Sequence, residues 1–235
     1  MSDSSREEAG PLGALEAWLA PAAPPLERFA AERVQGSAGW LANQALVGRR
    51  YGQRGLRVTP LEMAADGLAS LRVREGEQVV GTLTVRMDGP AGLAADAVFP
   101  EELRALREQQ RLCEFTRLAV DGGTESKPVL ARLFHMAYLY AHRIEKAELI
   151  VFEVHPRHSP FYRRMLGSRL LAGERLDPAV NAPAVLMCKP LDEMRRDIET
   201  MGGRADLAAQ ARSLYPLFYG PAEETALLRE MRLGV

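Results

Sequence analysis

The feature that most constrains this chain is a strand, a long helix and a second strand in immediate succession. Residues 112–120, Leu-Cys-Glu-Phe-Thr-Arg-Leu-Ala-Val, form its most strand-like run, and Asp121-Gly122-Gly123 ends it. Ser126 or Lys127 followed by Pro128 then opens a helix to about residue 145, with Leu130, Leu133, Phe134, Ala137, Tyr138, Ala141 and Ile144 on its inward face. Residues 148–154 read as a buried strand. A crossover of this kind returns the chain to the same sheet with the two strands parallel, so an α/β architecture follows.

The flanks fill in the sheet. Residues 68–74 and 78–87 are strand-like, and Glu75-Gly76-Glu77 between them supplies the permissive glycine of an antiparallel hairpin. Helical periodicity covers 26–34 and 38–51; in the second, Trp40, Leu41, Ala45, Leu46 and Val47 share a face, and Gly52 and Gly55 close it. Residues 88–100 are irregular and apolar. Pro100 opens a short helix with Glu101 and Glu102 at its positive end and Arg104, Arg107 and Arg111 toward its negative end. After the crossover come a His155–His158 loop, a helix over 161–166 capped by Ser159 and Pro160 and ended by Gly167, and strands at 169–172 and 184–189 joined by an irregular 177–183. Helices at 191–201 and 223–231 complete the chain. Residues 1–25, ending in Pro21-Ala22-Ala23-Pro24-Pro25, read as a flexible arm with one short helix at 12–19; 26–190 is the main domain and 191–235 a helical extension.

Composition removes several classes of function. With 47% hydrophobic residues among 235, the chain can bury a sizeable core. Its 30 basic against 31 acidic residues give no global field for nucleic acid. Cys113 and Cys188 are too few for a disulfide framework or a Cys-rich zinc site and suit a reducing compartment. No apolar run reaches the ~20 residues of a membrane span, and the first ten residues are acidic and polar rather than signal-like. A cytoplasmic protein is expected. Lysine occurs only at Lys127, Lys146 and Lys189, so arginine carries the positive charge, through either genomic base composition or guanidinium recognition of phosphate and carboxylate.

This element order is that of the Gcn5-related N-acetyltransferase fold, a mixed, largely antiparallel central sheet flanked by helices. Within it, Cys113-Glu114-Phe115-Thr116-Arg117-Leu118-Ala119-Val120 resembles the Glu-x-x-Arg strand of acyl-homoserine-lactone synthases and, more closely, of N-acyl amino acid synthases. His155-Pro156-Arg157-His158-Ser159-Pro160-Phe161-Tyr162 is similar to the second family's His-x-x-His-x-x-Phe-Tyr segment, and Asn181-Ala182-Pro183-Ala184-Val185-Leu186 to its closing segment. The resemblance covers about residues 51–189. It implies an acyltransferase that moves a long-chain acyl group from the 4′-phosphopantetheine arm of acyl carrier protein to an amino acid, with no cofactor of its own. The spacing of His155 and His158 invites a metal reading, but no cluster of Cys, His or Asp supplies the third and fourth ligands, so no metal is expected.

Thioester aminolysis needs a neutral nitrogen nucleophile, stabilisation of a tetrahedral oxyanion and a proton for the departing sulfur. Glu114 is the candidate base, directly or through water, and Arg117 the candidate for a substrate carboxylate or for supporting Glu114. Three residues apart on a regular strand they face opposite ways, so a bulge between them is required. A Glu–Arg pair buried inside the sheet is the alternative. By the resemblance, Tyr162 stands where a hydroxyl can protonate the thiolate; packing against Phe161 is the alternative. His155 and His158 are candidates for the amine site or plain loop caps. Phe115, Thr116, Phe134 and Tyr138 are candidate substrate-groove residues or plain core, and Arg132, Arg157, Arg163 and Arg164 could dock the acidic carrier protein.

The turn after the Glu-x-x-Arg strand departs from the coenzyme A pattern. Asp121 and Glu125 bring acids, and Pro128 a ring, where a diphosphate-binding turn would present backbone N–H groups. Acyl-CoA is therefore the less favoured donor. An acyl-homoserine-lactone synthase, a coenzyme A-dependent acetyltransferase and a noncatalytic acyl- or partner-binding module of the same fold are the alternative functions. The aromatic run Leu214, Tyr215, Leu217, Phe218, Tyr219 reads as a lid over the acyl groove or an interface for another subunit.

Overall fold

The computed structural model describes residues 26–58, 67–122 and 125–233; the arm at 1–25, Gly123 and Thr124 lie outside them. The crossover segments build the middle of a seven-stranded sheet of order β1-β2-β3-β4-β5-β7-β6. Strands β1 (Phe29–Arg33), β2 (Leu68–Glu75), β3 (Gln78–Met87) and β4 (Leu112–Val120) run as an antiparallel meander. Strand β5 (Leu149–Val154) lies parallel to β4, and β6 (Arg169–Asp177) and β7 (Ala182–Pro190) extend the sheet beyond it. Gly76, at φ +58°, makes the β2–β3 turn.

Helix α1 (Gly36–Gly52) and helix α2 (Pro100–Arg107) cover one face of the sheet, where Leu46 and Val47 meet Ala119, and Phe99 and Leu103 meet Leu112, Leu149 and Leu186. Helix α3 (Ser126–Tyr138) covers the other, and its end widens into a π-turn over Leu139–Ile144. Every residue of α3 from Pro128 to Tyr138 is buried. Gly81 allows this: a Cβ there would come within 2.4 Å of Val129 Cγ1, so only a glycine lets α3 lie so close to β3. Helices α4 (Ser159–Leu166), α5 (Leu191–Met201) and α6 (Pro221–Leu233) follow.

Several sequence expectations are corrected. Residues 26–34 are a 3₁₀ turn at Leu26–Arg28 and then edge strand β1, not a helix. Phe-Ala-Ala-Glu-Arg has no strong local preference, and pairing with β2 decides it. Leu41 is 66% exposed and Ala45 is exposed, so the buried face of α1 is Trp40, Asn43, Leu46 and Val47. The irregular 177–183 is a tight β6–β7 hairpin in which Asp177 pairs with Ala182.

The aromatic run is neither lid nor subunit interface. Leu214, Tyr215, Leu217, Phe218 and Tyr219 are buried in the same core as α3. Tyr215 donates its hydroxyl hydrogen to the Leu166 carbonyl at 2.8 Å, and Phe218 stacks on His135 with centroids 5.0 Å apart. What covers this run is therefore the chain's own α3 and α4. Among the described residues no helix is long and apolar enough to cross a membrane.

Candidate active site

The parallel ladder between β4 and β5 is short. It pairs Leu112 with Leu149, Cys113 with Ile150 and Glu114 with Val151, and there it stops, although β4 continues to Val120 and β5 to Val154. A bulge turns β4 away: Thr84 pairs with Thr116 but Thr82 with Ala119, so β4 accommodates an extra residue, and Arg117 adopts φ +53°. Beyond Glu114 the two strands splay apart, which leaves the facing backbone edge of β4 without its ladder partner.

Glu114 sits on the last rung of that ladder and is 1% exposed. Its carboxylate accepts a 2.6 Å hydrogen bond from the Ala94 N–H. Burial pushes its pKa up to about 7, and the Ala94 N–H and the charge of Arg86 pull in the opposite direction. Ala94 is delivered by the loop between β3 and α2, which Arg107 clamps: its guanidinium binds both carboxylate oxygens of Asp88 and both of Asp96 at 2.6–2.9 Å.

The bulge brings Arg117 toward the α1 side of the sheet. Its guanidinium donates to Gln44 Oε1 at 3.2 Å, and Tyr51 of α1 lies within its field. Arg86, the β3 partner of Glu114 in register, influences both Glu114 and Arg117. Glu114 and Arg117 are thus not locked together; the one is held by a loop, the other reaches α1.

On the α3 side of the splay the walls are aromatic. Phe134 stacks on Phe115 at 6.5 Å between centroids and meets Tyr162 edge-on at 6.3 Å, while Phe152 lies 5.2 Å from Tyr162. Burial pushes the Tyr162 hydroxyl up to about 12, so it holds its proton at neutral pH. Thr116 is half-buried at the bulge.

Other expected residues lie elsewhere. Tyr138 is deep in the core one turn beyond Phe134, between His135 and His142, away from the splay. Arg132 is 4% exposed with its guanidinium 3.8 Å over the Tyr219 ring, so it cannot dock a carrier protein. Its burial follows from the C-terminal segment, whose folding back is invisible in local sequence. Arg157, Arg163 and Arg164 are exposed, and none forms a salt bridge with a described residue. His155 Nδ1 accepts from the Arg157 N–H at 3.3 Å, a loop cap; His158 accepts from Arg157 Nε at 3.2 Å, and burial lowers its pKa.

Two residues beside Glu114 escaped the sequence reading. Arg86 has a buried Nε with no hydrogen-bond partner among the described residues. Glu153 of β5, pushed up to about 8 by burial and then by the charges of Glu114 and Asp177, has a buried Oε1 in the same condition. The signal was present for Glu153: it is the lone charge in Leu-Ile-Val-Phe-Glu-Val.

Solved structures similar to the chain share this architecture. The N-acyl amino acid synthase FeeM from uncultured soil microbes superposes with a TM-score of 0.66 at 24% identity, over 72% of this chain and 94% of that one. A putative N-acetyltransferase from Lactobacillus plantarum gives 0.51 at 17% identity, over 69% and 98%. Arabidopsis thaliana NAA60 in complex with acetyl-CoA gives 0.51 at 12% identity, over 70% and 99%. No curated protein sequence matches the chain. The family model of the N-acyl amino acid synthase FeeM matches residues 42–189, so this chain, with its buried glutamate at the mouth of a splayed strand pair, belongs to that family and is an N-acyltransferase.

Proposed function

We propose that this enzyme transfers a long-chain acyl group from acyl carrier protein to the α-amino group of an amino acid, by direct attack on the thioester. One observation carries the reading: Glu114, a carboxylate pushed up to about 7, stands where β4 and β5 part, beside a bulge that re-aims the backbone. A base with that pKa is half-ionised at neutral pH and accepts a proton without binding it too tightly.

In becoming an amide the substrate ammonium loses two protons. The nitrogen forms the C–N bond as the thioester carbonyl becomes a tetrahedral oxyanion, and the C–S bond then breaks. One proton leaves through Glu114 and one ends on the sulfur, with Tyr162 the donor at the aromatic wall. Backbone N–H groups on the freed edge of β4 suit the oxyanion, and Arg117 suits the substrate carboxylate. The acyl chain suits the wall of Phe115, Phe134 and Phe152.

The donor is read from the turn after β4. There the Gly122 N–H donates to the chain's own Asp121 carboxylate at 2.7 Å, and Glu125 binds Arg28. A backbone donor that a diphosphate would use is already taken, which favours a pantetheine arm over coenzyme A. The exposed Arg157, Arg163 and Arg164 offer an acidic carrier protein a complementary surface.

The test incubates purified protein with palmitoyl acyl carrier protein, or in parallel palmitoyl coenzyme A, and the standard amino acids, and reads organic extracts by mass spectrometry. An N-acyl amino acid that forms faster from carrier protein, and is lost in Glu114→Gln, is the expected result. Faster reaction from coenzyme A overturns the donor; silence with every amine overturns the reaction.

A further inference from the structure

Glu114 is sealed behind the Ala94 loop, yet an ammonium ion must be received before it can be deprotonated. The next residue of β5 on that face beyond the last ladder rung, Glu114 with Val151, is Glu153. It is the outer of the two carboxylates, half-buried where Glu114 is fully buried. Its Oε1 is buried without a hydrogen-bond partner among the described residues, a costly arrangement in a site with nothing to bind.

We infer that Glu153 is the binding residue for the substrate's ammonium group, holding it at the mouth of the splay so that Glu114 can take its proton. This rests on the acyl-transfer reading and adds to it a second acidic residue, with the cation as its ligand. The charged groups around Glu153 are Glu114 on β4 and Asp177 on β6, both of which raise its pKa. Beyond Glu114 stand Arg86 on β3 and Asp96 in the loop before α2. Arg175 on β6 is committed to Glu102, and Asp177 accepts from the Ala179 N–H at 2.8 Å. Of these carboxylates, Glu153 is the one with a buried oxygen that has no hydrogen-bond partner among the described residues.

The inference has a signature in pH. Without substrate Glu153 holds its proton to about pH 8, so binding a cation expels that proton and tightens as pH rises. The experiment measures KM and kcat for each standard L-amino acid, with palmitoyl acyl carrier protein, from pH 6.5 to 8.5. In wild type, KM for the amino acid falls roughly 25-fold across that range. Glu153→Gln raises KM at pH 8.5 about tenfold, flattens its pH dependence and leaves kcat within about threefold. Glu153→Asp keeps the slope at a higher KM, which covers the case of a poorly folded glutamine variant.

A wild-type KM and slope in either variant overturns the inference, as does a loss confined to kcat. A second arm needs no acyl transfer: calorimetric titration of each amino acid at pH 7.5, in phosphate and in Tris, shows release of roughly 0.5–1 proton by wild type and none by Glu153→Gln. If no product forms but the proton is released, the acyl-transfer reading fails and the ammonium site stands. If product forms but no proton is released, the reverse holds.

Discussion

The carboxylate of Glu114, in the middle of the sheet, accepts its 2.6 Å hydrogen bond from the backbone N–H of Ala94, in a loop outside the sheet. That donor, the charge of Arg86 and the Ala95 N–H beside it oppose a burial that pushes the acid up to about 7. Because the folded pKa lies above the unfolded one, the stability Glu114 contributes is full below about pH 4 and is lost as pH rises through 7. Glu114→Gln is therefore expected to be more stable than wild type at pH 8, by about 1–3 kcal/mol, with the difference gone near pH 4. Thermal melts across pH check this. Its kcat should fall roughly 10²–10⁴-fold, while wild-type kcat rises with pH up to about 7 and then levels.

Arg107 holds both Asp88 and Asp96 and so fixes the loop that carries Ala94. Arg107→Ala should cost about 1–3 kcal/mol in denaturant melts. With the Ala94 N–H loosened, the acid limb of the pH–rate profile should also move upward. Arg107→Lys, a point charge in place of a planar fork, should not restore it. A profile that stays at the wild-type position would separate the loop from the chemistry.

At the bulge Arg117 carries φ +53°, a conformation that costs a side chain roughly 1 kcal/mol and a glycine nothing. Arg117→Gly should therefore be about 1 kcal/mol more stable than Arg117→Ala in urea melts, while both lose the guanidinium that we propose holds the substrate carboxylate. A higher KM for the amino acid in both variants, with stability differing between them, is the expected pattern.

His135 joins the C-terminal segment to α3. Its Nδ1 accepts from the Tyr219 N–H at 2.9 Å and its Nε2 lies 3.2 Å from Glu224, a neutral ring with its proton on Nε2. Burial lowers the His135 pKa, and the His135 and Arg143 contacts lower that of Glu224. Both depressed groups contribute stability above their unfolded pKa values that is lost as pH falls. His135→Ala should cost about 2–4 kcal/mol at pH 7.5 and flatten the acid side of the stability curve. A chain ending at residue 213 should not fold, since Leu214, Tyr215 and Phe218 would leave α3 uncovered.

Sequence and tertiary structure divide the protein between them along physical lines. Strand β4, the α3 crossover, β5 and the β2–β3 hairpin were legible because period, caps and turn glycine are local and agree with the packing they enter. Glu114 and Arg117 were legible as charges in an apolar strand, and the required bulge followed from their spacing. Strand β1 was not, since its pairing with β2 outweighs a weak local preference. Nor was the fate of Arg132 or of the aromatic run, which depends on residues 214–219 folding back over α3. The sequence by itself determined the order of elements along the chain from β2 to β7 and the identity of the buried acid on β4. Only the tertiary structure decided which carboxylate faces which, because the parallel ladder that ends at Glu114 and Val151 joins residues 37 apart in the chain, and no local rule reaches that far.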